Sequence, residues 1–234
     1  MKTPTPVFIV CSPAGRVGKS LVARLLGDYF LISKRSFRGF DTDPHEPDFG
    51  ARFPQESTVC DLATVQGQMA LFDSLLVNDD VPKIIDLWHR SMDSFFALVD
   101  NTEFIAEAAN IGVEPVFFFI ADASTRSLDV AARLSARYPD LQMISVENAG
   151  AAPASREQLA RYPASGIFKV GTLDPVLRHA IEDQDFSLSR FMLAPPASMS
   201  IVLRSSLRDW LARVFSQLRS FELRQALERA EHLG

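Results

Sequence analysis

Residues 12–20 read S-P-A-G-R-V-G-K-S, and these residue types suit the binding of phosphate groups. Gly15 and Gly18 let the backbone turn sharply and approach phosphate oxygens closely. Lys19 would place a positive charge on the β- and γ-phosphates of a nucleotide, and the Ser20 hydroxyl would ligate Mg²⁺. Backbone N–H groups of the loop and of the next helix would point at the same anion. The predicted nucleotide-binding residues of this loop are Gly15, Arg16, Val17, Gly18, Lys19, Ser20 and Leu21.

The sequence on either side of this loop supports the same interpretation. An apolar run, V-F-I-V-C at residues 7–11, precedes the loop, and an amphipathic run, L-V-A-R-L-L at residues 21–26, follows it. Strand, tight loop and helix form the context that a phosphate-binding loop requires. The usual pattern, G-x-x-x-x-G-K-[ST], has a glycine where this chain has Pro13. The alternative is an ordinary glycine-containing turn, and the strand–loop–helix context favours the phosphate loop.

Acidic residues end two further predicted strands. Asp41 and Asp43 close a short run that begins near residue 36, and Pro44 prevents the strand from continuing. Asp86 ends the next apolar run. Because α/β sheets bind ligands at the carboxyl ends of their strands, we expect these carboxylates beside the phosphate loop, with Asp86 holding Mg²⁺ through water. For Asp43 the alternative is a turn closed by its own side chain.

The loop resembles a known signature. Residues 14–20, A-G-R-V-G-K-S, are similar to the K-G-G-V-G-K-[ST] of the ParA/MinD-like ATPases, which belong to the SIMIBI class of phosphate-loop proteins. Ala14 stands where the signature has its first lysine, and Arg16 stands where it has its second glycine. Residues 41–45, D-T-D-P-H, resemble the family's D-x-D-P-Q segment. The resemblance covers residues 7 to about 185.

This resemblance implies catalytic roles. Asp43 would orient the attacking water and join Ser20 and Asp86 as a metal ligand, and Lys19 would be the second catalytic residue. In the family, the signature lysine reaches across a dimer to the partner's nucleotide. Ala14 cannot supply that charge, so we expect slow ATP hydrolysis.

The resemblance also predicts which base is bound. Asn148 ends a predicted strand and would bond the adenine ring, with a plain turn residue before Gly150 as the alternative. The N-K-x-D pattern that reads guanine in GTPases is not found at this position, which favours ATP over GTP. His89 and Arg90 follow Asp86 where a γ-phosphate sensor would lie, and a surface turn explains them equally well.

Predicted strands and helices alternate along the chain. This pattern predicts an α/β fold, a doubly wound and mostly parallel sheet flanked by helices, with a C-terminal helical extension. We expect a nucleotide-binding domain over residues 1–196 and an amphipathic helical extension over residues 197–234, and we expect residues 46–50 to form a loop. Predicted strands cover residues 7–11, 36–41, 81–86, 114–122, 141–148 and 166–170, and predicted helices cover residues 18–32, 65–77, 91–110, 124–138, 155–161, 175–181, 188–193 and 198–233.

Composition limits the classes of function. The chain has 234 residues, 47% of them hydrophobic, and a net charge of −5. A negative net charge argues against general nucleic-acid binding, so DNA contact is not indicated. The two cysteines form no metal-binding pair, and the N-terminus lacks the apolar core of a signal peptide, so we expect a cytoplasmic protein.

The C-terminal segment carries an apolar stripe at helical spacing, which runs from Leu203 to Phe221. A membrane-binding helix needs a basic polar face, but here six arginines alternate with Asp209, Glu222, Glu228 and Glu231. Mixed charge favours a protein surface, of this domain or of a second copy, and we predict that the helix contributes to a homodimer.

Three functions remain open from the sequence. The first is an ATPase switch that positions, partitions or loads cargo, with ATP and Mg²⁺ as cofactors. The second is an ATP-binding protein that hydrolyses little and acts by nucleotide-dependent association. The third is a dethiobiotin-synthetase-like ligase or a small-molecule kinase built on the same loop.

Overall fold

The computed structural model describes residues 4–232, so residues 1–3 and the predicted helix end at Leu233 lie outside it. Within this range seven strands form one parallel sheet in the order β3-β2-β4-β1-β5-β6-β7. The strands are β1 (Thr5–Cys11), β2 (Arg38–Asp41), β3 (Ser57–Val59), β4 (Lys83–Asp86), β5 (Val113–Ala121), β6 (Gln142–Asn148) and β7 (Gly166–Val170).

Helices connect these strands and cover both faces of the sheet, so the predicted fold class, a doubly wound parallel sheet with a C-terminal helix, is confirmed. The helices are α1 (Lys19–Ile32), α2 (Asp48–Arg52), α3 (Val65–Leu75), α4 (Met92–Asn101), α5 (Phe104–Ile111), α6 (Thr125–Arg137), α7 (Arg156–Leu159), α8 (Pro175–Glu182), α9 (Leu188–Leu193) and α10 (Ile201–His232). None of the helices within residues 4–232 combines the length and the hydropathy that crossing a bilayer requires.

The sheet separates two hydrophobic cores. Successive side chains of a strand point to opposite faces, so Phe8 and Phe118 pack in one core while Ile9 and Phe117 pack in the other. The part of β1 after Pro6 and the part of β5 after Pro115 are therefore entirely apolar, as expected for strands buried on both faces.

The prediction of a loop over residues 46–50 is wrong at its second half, where α2 begins. Phe49 and Phe53 lie four residues apart and pack against Phe37, with ring centroids 6.4 and 5.2 Å from that of Phe37. The Gly50 N–H donates to the Asp41 carboxylate at 3.0 Å. These contacts involve Phe37, just before β2, and Asp41, at the end of β2. The local sequence pattern therefore did not reveal the helix. Strand β3 was not predicted either.

The apolar stripe of α10 packs on the sheet of its own chain. Phe221 lies against Phe8 and Phe118, with ring centroids 6.3 and 5.8 Å apart. Leu203 is partly buried, and the remaining stripe residues are buried in the same core: Leu207, Trp210, Leu211, Val214, Phe215, Leu218 and Phe221. The stripe is thus covered by protein, as predicted, while the homodimer stays a prediction.

Candidate functional site

The predicted phosphate loop joins β1 to α1 at the carboxyl edge of the sheet. Gly18 precedes α1 with φ +88°, and a Cβ at this position would lie 2.1 Å from Asn148 Nδ2. Only glycine fits both the backbone and the space. Arg16 also has a positive φ, of 59°, where the resembled signature has a glycine. The loop therefore keeps the left-handed backbone of a glycine-rich turn with a side chain in place of one glycine.

Lys19 is the first residue of α1 and its side chain is buried. The Nζ donates to the Ala14 carbonyl at 2.8 Å, so the ammonium bends back over the loop. Burial lowers the pKa of Lys19, and the negative charge of Asp86 opposes that shift most strongly. A buried cation with one carbonyl partner is well placed to attract an anion.

Two buried carboxylates face the loop from adjacent strands. Asp41 of β2 and Asp86 of β4 are paired in register at the ends of their strands. Burial raises the pKa of Asp86 to about 7, and the neighbouring Asp41 charge adds to the shift. Burial likewise raises the pKa of Asp41 to about 6, against the hydrogen bonds donated by the backbone of Asp43 and Gly50. The pair is poorly neutralised and suits a cation.

The donor set fits Mg²⁺ held jointly with phosphate. The Ser20 hydroxyl hydrogen-bonds to Asp86 and lowers the pKa of that carboxyl. Within residues 4–232, His, Cys, Asp and Glu side chains form no group of three or more that could hold a metal ion. Mg²⁺ is usually bound through one or two carboxylates together with substrate phosphates and waters. Ser20 and Asp86 would hold the ion on the protein side.

Asp43 closes a turn with its own side chain and also lies at the cleft, so both roles considered from the sequence are compatible with its position. Its Oδ1 accepts hydrogen bonds from the N–H groups of His45 and Glu46 at 3.0 and 3.2 Å, which is a turn closed by the aspartate side chain. The residue also lines the same cleft as Lys19 and Asp86. One carboxylate oxygen therefore shapes the turn, and the side chain still borders the space in front of the loop.

Asn148 lies beneath the phosphate loop. It is buried, its Nδ2 donates to the Val17 carbonyl at 3.1 Å, and its Oδ1 accepts from the Gly150 N–H at 3.2 Å. The side chain thus braces the loop against the end of β6. A bond to adenine would use the second hydrogen of its amide, and that role stays a prediction.

The loop opens into a cleft of about 1220 Å³, which is ample for a nucleotide. Trp210 and Arg178 form part of its wall. Trp210 Nε1 donates to the Gly171 carbonyl at 2.8 Å, and Arg178 Nη2 donates to the Gly150 carbonyl at 3.1 Å. All the predicted site residues except Val17, which is buried in the core, line this cleft: Gly15, Arg16, Gly18, Lys19, Ser20, Leu21, Asp43, Asp86 and Asn148.

Two arginines that the sequence analysis missed bind the end of α8 and the segment after it, part of which lines the cleft. Arg24 of α1 donates to the carbonyls of Ile181 and Phe186. Arg52 of α2 donates to the Glu182 carbonyl at 2.8 Å. Their partners lie more than a hundred residues away along the chain, so no sequence signal could have identified them.

A second missed feature links the two acidic turns. The buried Thr42 hydroxyl accepts from the Trp88 N–H at 2.8 Å, and the Thr42 N–H donates to the Asp86 carbonyl at 3.2 Å. The His45 ring packs edge-on against Trp88, with centroids 5.6 Å apart. The turn that holds Asp43 and the turn after Asp86 are therefore one connected unit.

Comparisons with known proteins add distant similarities. No protein-family model matches the sequence, and no curated protein matches it. A nucleotide-binding protein in complex with ADP from Archaeoglobus fulgidus is 14% identical with a TM-score of 0.48, and the match covers 77% of this chain and 89% of that one. The MinC:MinD cell division protein complex from Aquifex aeolicus is 11% identical with a TM-score of 0.45, and the match covers 91% of this chain and 96% of that one.

With TM-scores under 0.5, neither similarity carries an argument about this chain. By its own strand order and its glycine loop, the chain has the fold of an α/β phosphate-loop protein.

Proposed function

We propose that this chain is a ParA/MinD-like nucleotide switch that binds Mg²⁺-ATP in the cleft. One observation carries the proposal: the left-handed Gly18, the buried Lys19 and the Ser20–Asp86 pair converge at the carboxyl edge of the sheet. Each of these groups has a defined task toward a triphosphate and its metal ion.

Lys19 and Asp86 explain why the site favours a charged ligand. In the free protein, burial shifts the pKa of each group toward its neutral form. Phosphate oxygens would replace the Ala14 carbonyl as partners of the Lys19 ammonium. The bound metal ion would supply positive charge near Asp86 and at the phosphates. Ligand binding would thus reduce the desolvation cost of both Lys19 and Asp86.

Hydrolysis by this site would be slow. Asp43 borders the space in front of the loop and would orient the attacking water. A charge supplied in trans can be worth roughly 10³–10⁵ in rate, and Ala14 supplies none. Arg16 is the cation nearest to Ala14 in the sequence of the loop, and its side chain is exposed. If Arg16 fills this role, Arg16→Ala reduces turnover; Asp43→Ala should abolish it, as measured by phosphate release from ATP.

The switching element is the unit joined by Thr42. Because Thr42 ties the turn of Asp43 to the turn after Asp86, a nucleotide-dependent change in either turn moves both. The output would be nucleotide-dependent association, as a homodimer or with a cargo that is positioned, partitioned or loaded. If phosphate release is undetectable while ATP still drives association, the protein is the binding-only variant of this switch.

Thermal unfolding with Mg²⁺-ATP tests the proposal. At a ligand concentration of about one hundred times Kd, linkage stabilises the folded state by roughly 2.7 kcal/mol. For a domain of this size the melting temperature should rise by roughly 5–10 °C. Lys19→Ala should remove the shift, while Lys34→Ala, which changes an exposed lysine after α1, should preserve it. An unshifted melt of the wild-type protein at millimolar Mg²⁺-ATP would refute nucleotide binding.

A further inference from the structure

The His89 imidazole lies flat on the phosphate loop. A methyl group placed on Gly15 would be 3.3 Å from Cε1, 3.5 Å from Nε2 and 3.6 Å from Nδ1 of His89. These similar distances mean that the ring face covers the Gly15 Cα. Phosphate loops wrap their backbone around the β- and γ-phosphates, so a ring on Gly15 borders the phosphate site.

The turn that carries His89 is held firmly. The Leu87 N–H donates to the Val10 carbonyl at 3.0 Å, and the Ser91 N–H donates to the Trp88 carbonyl at 3.0 Å. Trp88 is fixed by Thr42 and packs edge-on against the His89 ring, with centroids 5.8 Å apart. The ring position therefore follows from the fold around it.

Within residues 4–232, the ring nitrogens of His89 form no hydrogen bond. The charged groups around the ring are Lys19 of α1, Asp43 of the turn after β2, Arg90 of the same turn and Arg126 of α6. Burial lowers the pKa of His89, and the three cations add to that shift. The lowered pKa of His89 favours the neutral ring, which has one N–H donor and one acceptor nitrogen.

Resting on the function proposed above, we propose that His89 determines specificity for triphosphate over diphosphate by donating a hydrogen bond to the terminal phosphate. Lys19 and Asp43, the two groups expected at the same end of the nucleotide, are among the charges that surround the ring. Adenosine diphosphate would leave the donor unused. Trp88 packs on His89 and is hydrogen-bonded to Thr42, so a change in the position of His89 would also move the turn of Asp43. The switch would thereby respond to the terminal phosphate.

The test compares the affinities of the full chain for Mg²⁺-ADP and for the Mg²⁺ complex of the non-hydrolysable β,γ-imido analogue of ATP, by calorimetric titration. Wild type should bind the analogue more tightly than ADP. His89→Ala and His89→Phe should weaken analogue binding roughly ten- to hundredfold, the range for a lost hydrogen bond to a charged group. Both variants should leave the ADP affinity within about twofold of wild type, because a β-phosphate does not use this donor.

Three controls make the result specific. His89→Phe keeps a flat ring on Gly15 without an N–H, so it separates the hydrogen bond from ring packing. His89→Gln keeps an N–H donor and should recover part of the analogue affinity. His179→Ala changes an exposed histidine of α8 that does not line the cleft, and it should bind both ligands as wild type does.

The idea fails if His89→Phe retains the wild-type preference for the analogue, or if both ligands weaken equally in the two variants. A wild-type protein that binds neither ligand would overturn the proposed function itself. A wild type that binds both, with unchanged variants, would overturn the His89 assignment alone.

Discussion

The cleft and the face under α10 are built from opposite kinds of contact. In the cleft, Lys19 and Asp86 are buried charges whose pKa values are shifted by desolvation, and each keeps few protein partners. Under α10, Leu211 and Phe221 are buried among other apolar side chains, several of them aromatic. In the free protein, burial is favourable under α10 and unfavourable for the charged groups of the cleft.

This contrast separates stability from function. Buried apolar surface stabilises the fold, whereas buried and poorly neutralised charges reduce stability until a ligand neutralises them. The apolar packing under α10 therefore offsets the free-energy cost of the buried charges in the cleft. Substitutions should destabilise at α10 and can stabilise in the cleft, and the following predictions test that difference.

Phe221→Ala should cause the largest loss. Phe221 is 5% exposed and packs on Phe8 and Phe118, so its truncation should lower the free energy of unfolding by about 3–5 kcal/mol. Leu223→Ala, two residues along the same helix at 59% exposure, should change it by less than about 0.5 kcal/mol. Urea unfolding measures both. Equal losses in the two variants would mean that α10 is not held by its buried stripe.

Gly18→Ala should destabilise the free protein by about 2 kcal/mol or more, because the left-handed backbone disfavours a Cβ and Asn148 occupies its space. Gly171→Ala is the matched control, since its nearest neighbour would be Trp210 Nε1 at 3.8 Å, an ordinary contact. Thermal melts compare the two. A Gly18 variant as stable as the Gly171 variant would show that the loop backbone is not constrained as described.

Asp86→Asn should stabilise the free protein at pH 8. The folded pKa of Asp86 is raised to about 7 from an ordinary 3.8, so the charged form is penalised in the fold. The penalty is complete above pH 7, fades as the pH falls, and is lost below about pH 4, where the carboxyl becomes protonated in the unfolded as well as in the folded state. We expect a gain of at least about 1 kcal/mol at pH 8, or roughly 2–4 °C in Tm, since one pKa unit corresponds to 1.36 kcal/mol.

Melts at pH 8 and pH 5 measure this gain, which should shrink at the lower pH. Asp129→Asn, which removes a carboxylate at an exposed position of α6, is the matched control. A destabilised Asp86→Asn at pH 8 would mean that the charged carboxylate is well satisfied in the free protein.

Arg35→Ala should have the smallest effect. Arg35 pairs with Glu222 of α10 at 2.6 Å, but its side chain is 43% exposed, so solvent screens the pair. The loss should be below about 1 kcal/mol and should shrink further in 1 M NaCl. Urea unfolding at low and high salt checks it. A loss comparable to that of Phe221→Ala would mean that α10 is attached by charge and not by apolar packing.

Much of the architecture was predictable because its signals are local. The phosphate loop, the apolar strands and the ends of β7 and α9 follow from glycine positions and hydrophobic runs within a few residues. Helix α2 was missed because the contacts that stabilise it join Phe49 to Phe37 and Gly50 to Asp41, which lie twelve and nine residues earlier in the chain.

By itself, the sequence determined which side chains could bind a nucleotide and that α10 has an apolar face. Only the tertiary structure decided how those groups meet: Asn148 supports Gly18, His89 covers Gly15, Arg24 holds the α8–α9 segment, and the α10 stripe packs on its own sheet. The physical reason is that such contacts join residues far apart in the chain, and they depend on strand order and packing, which no local pattern of residues contains.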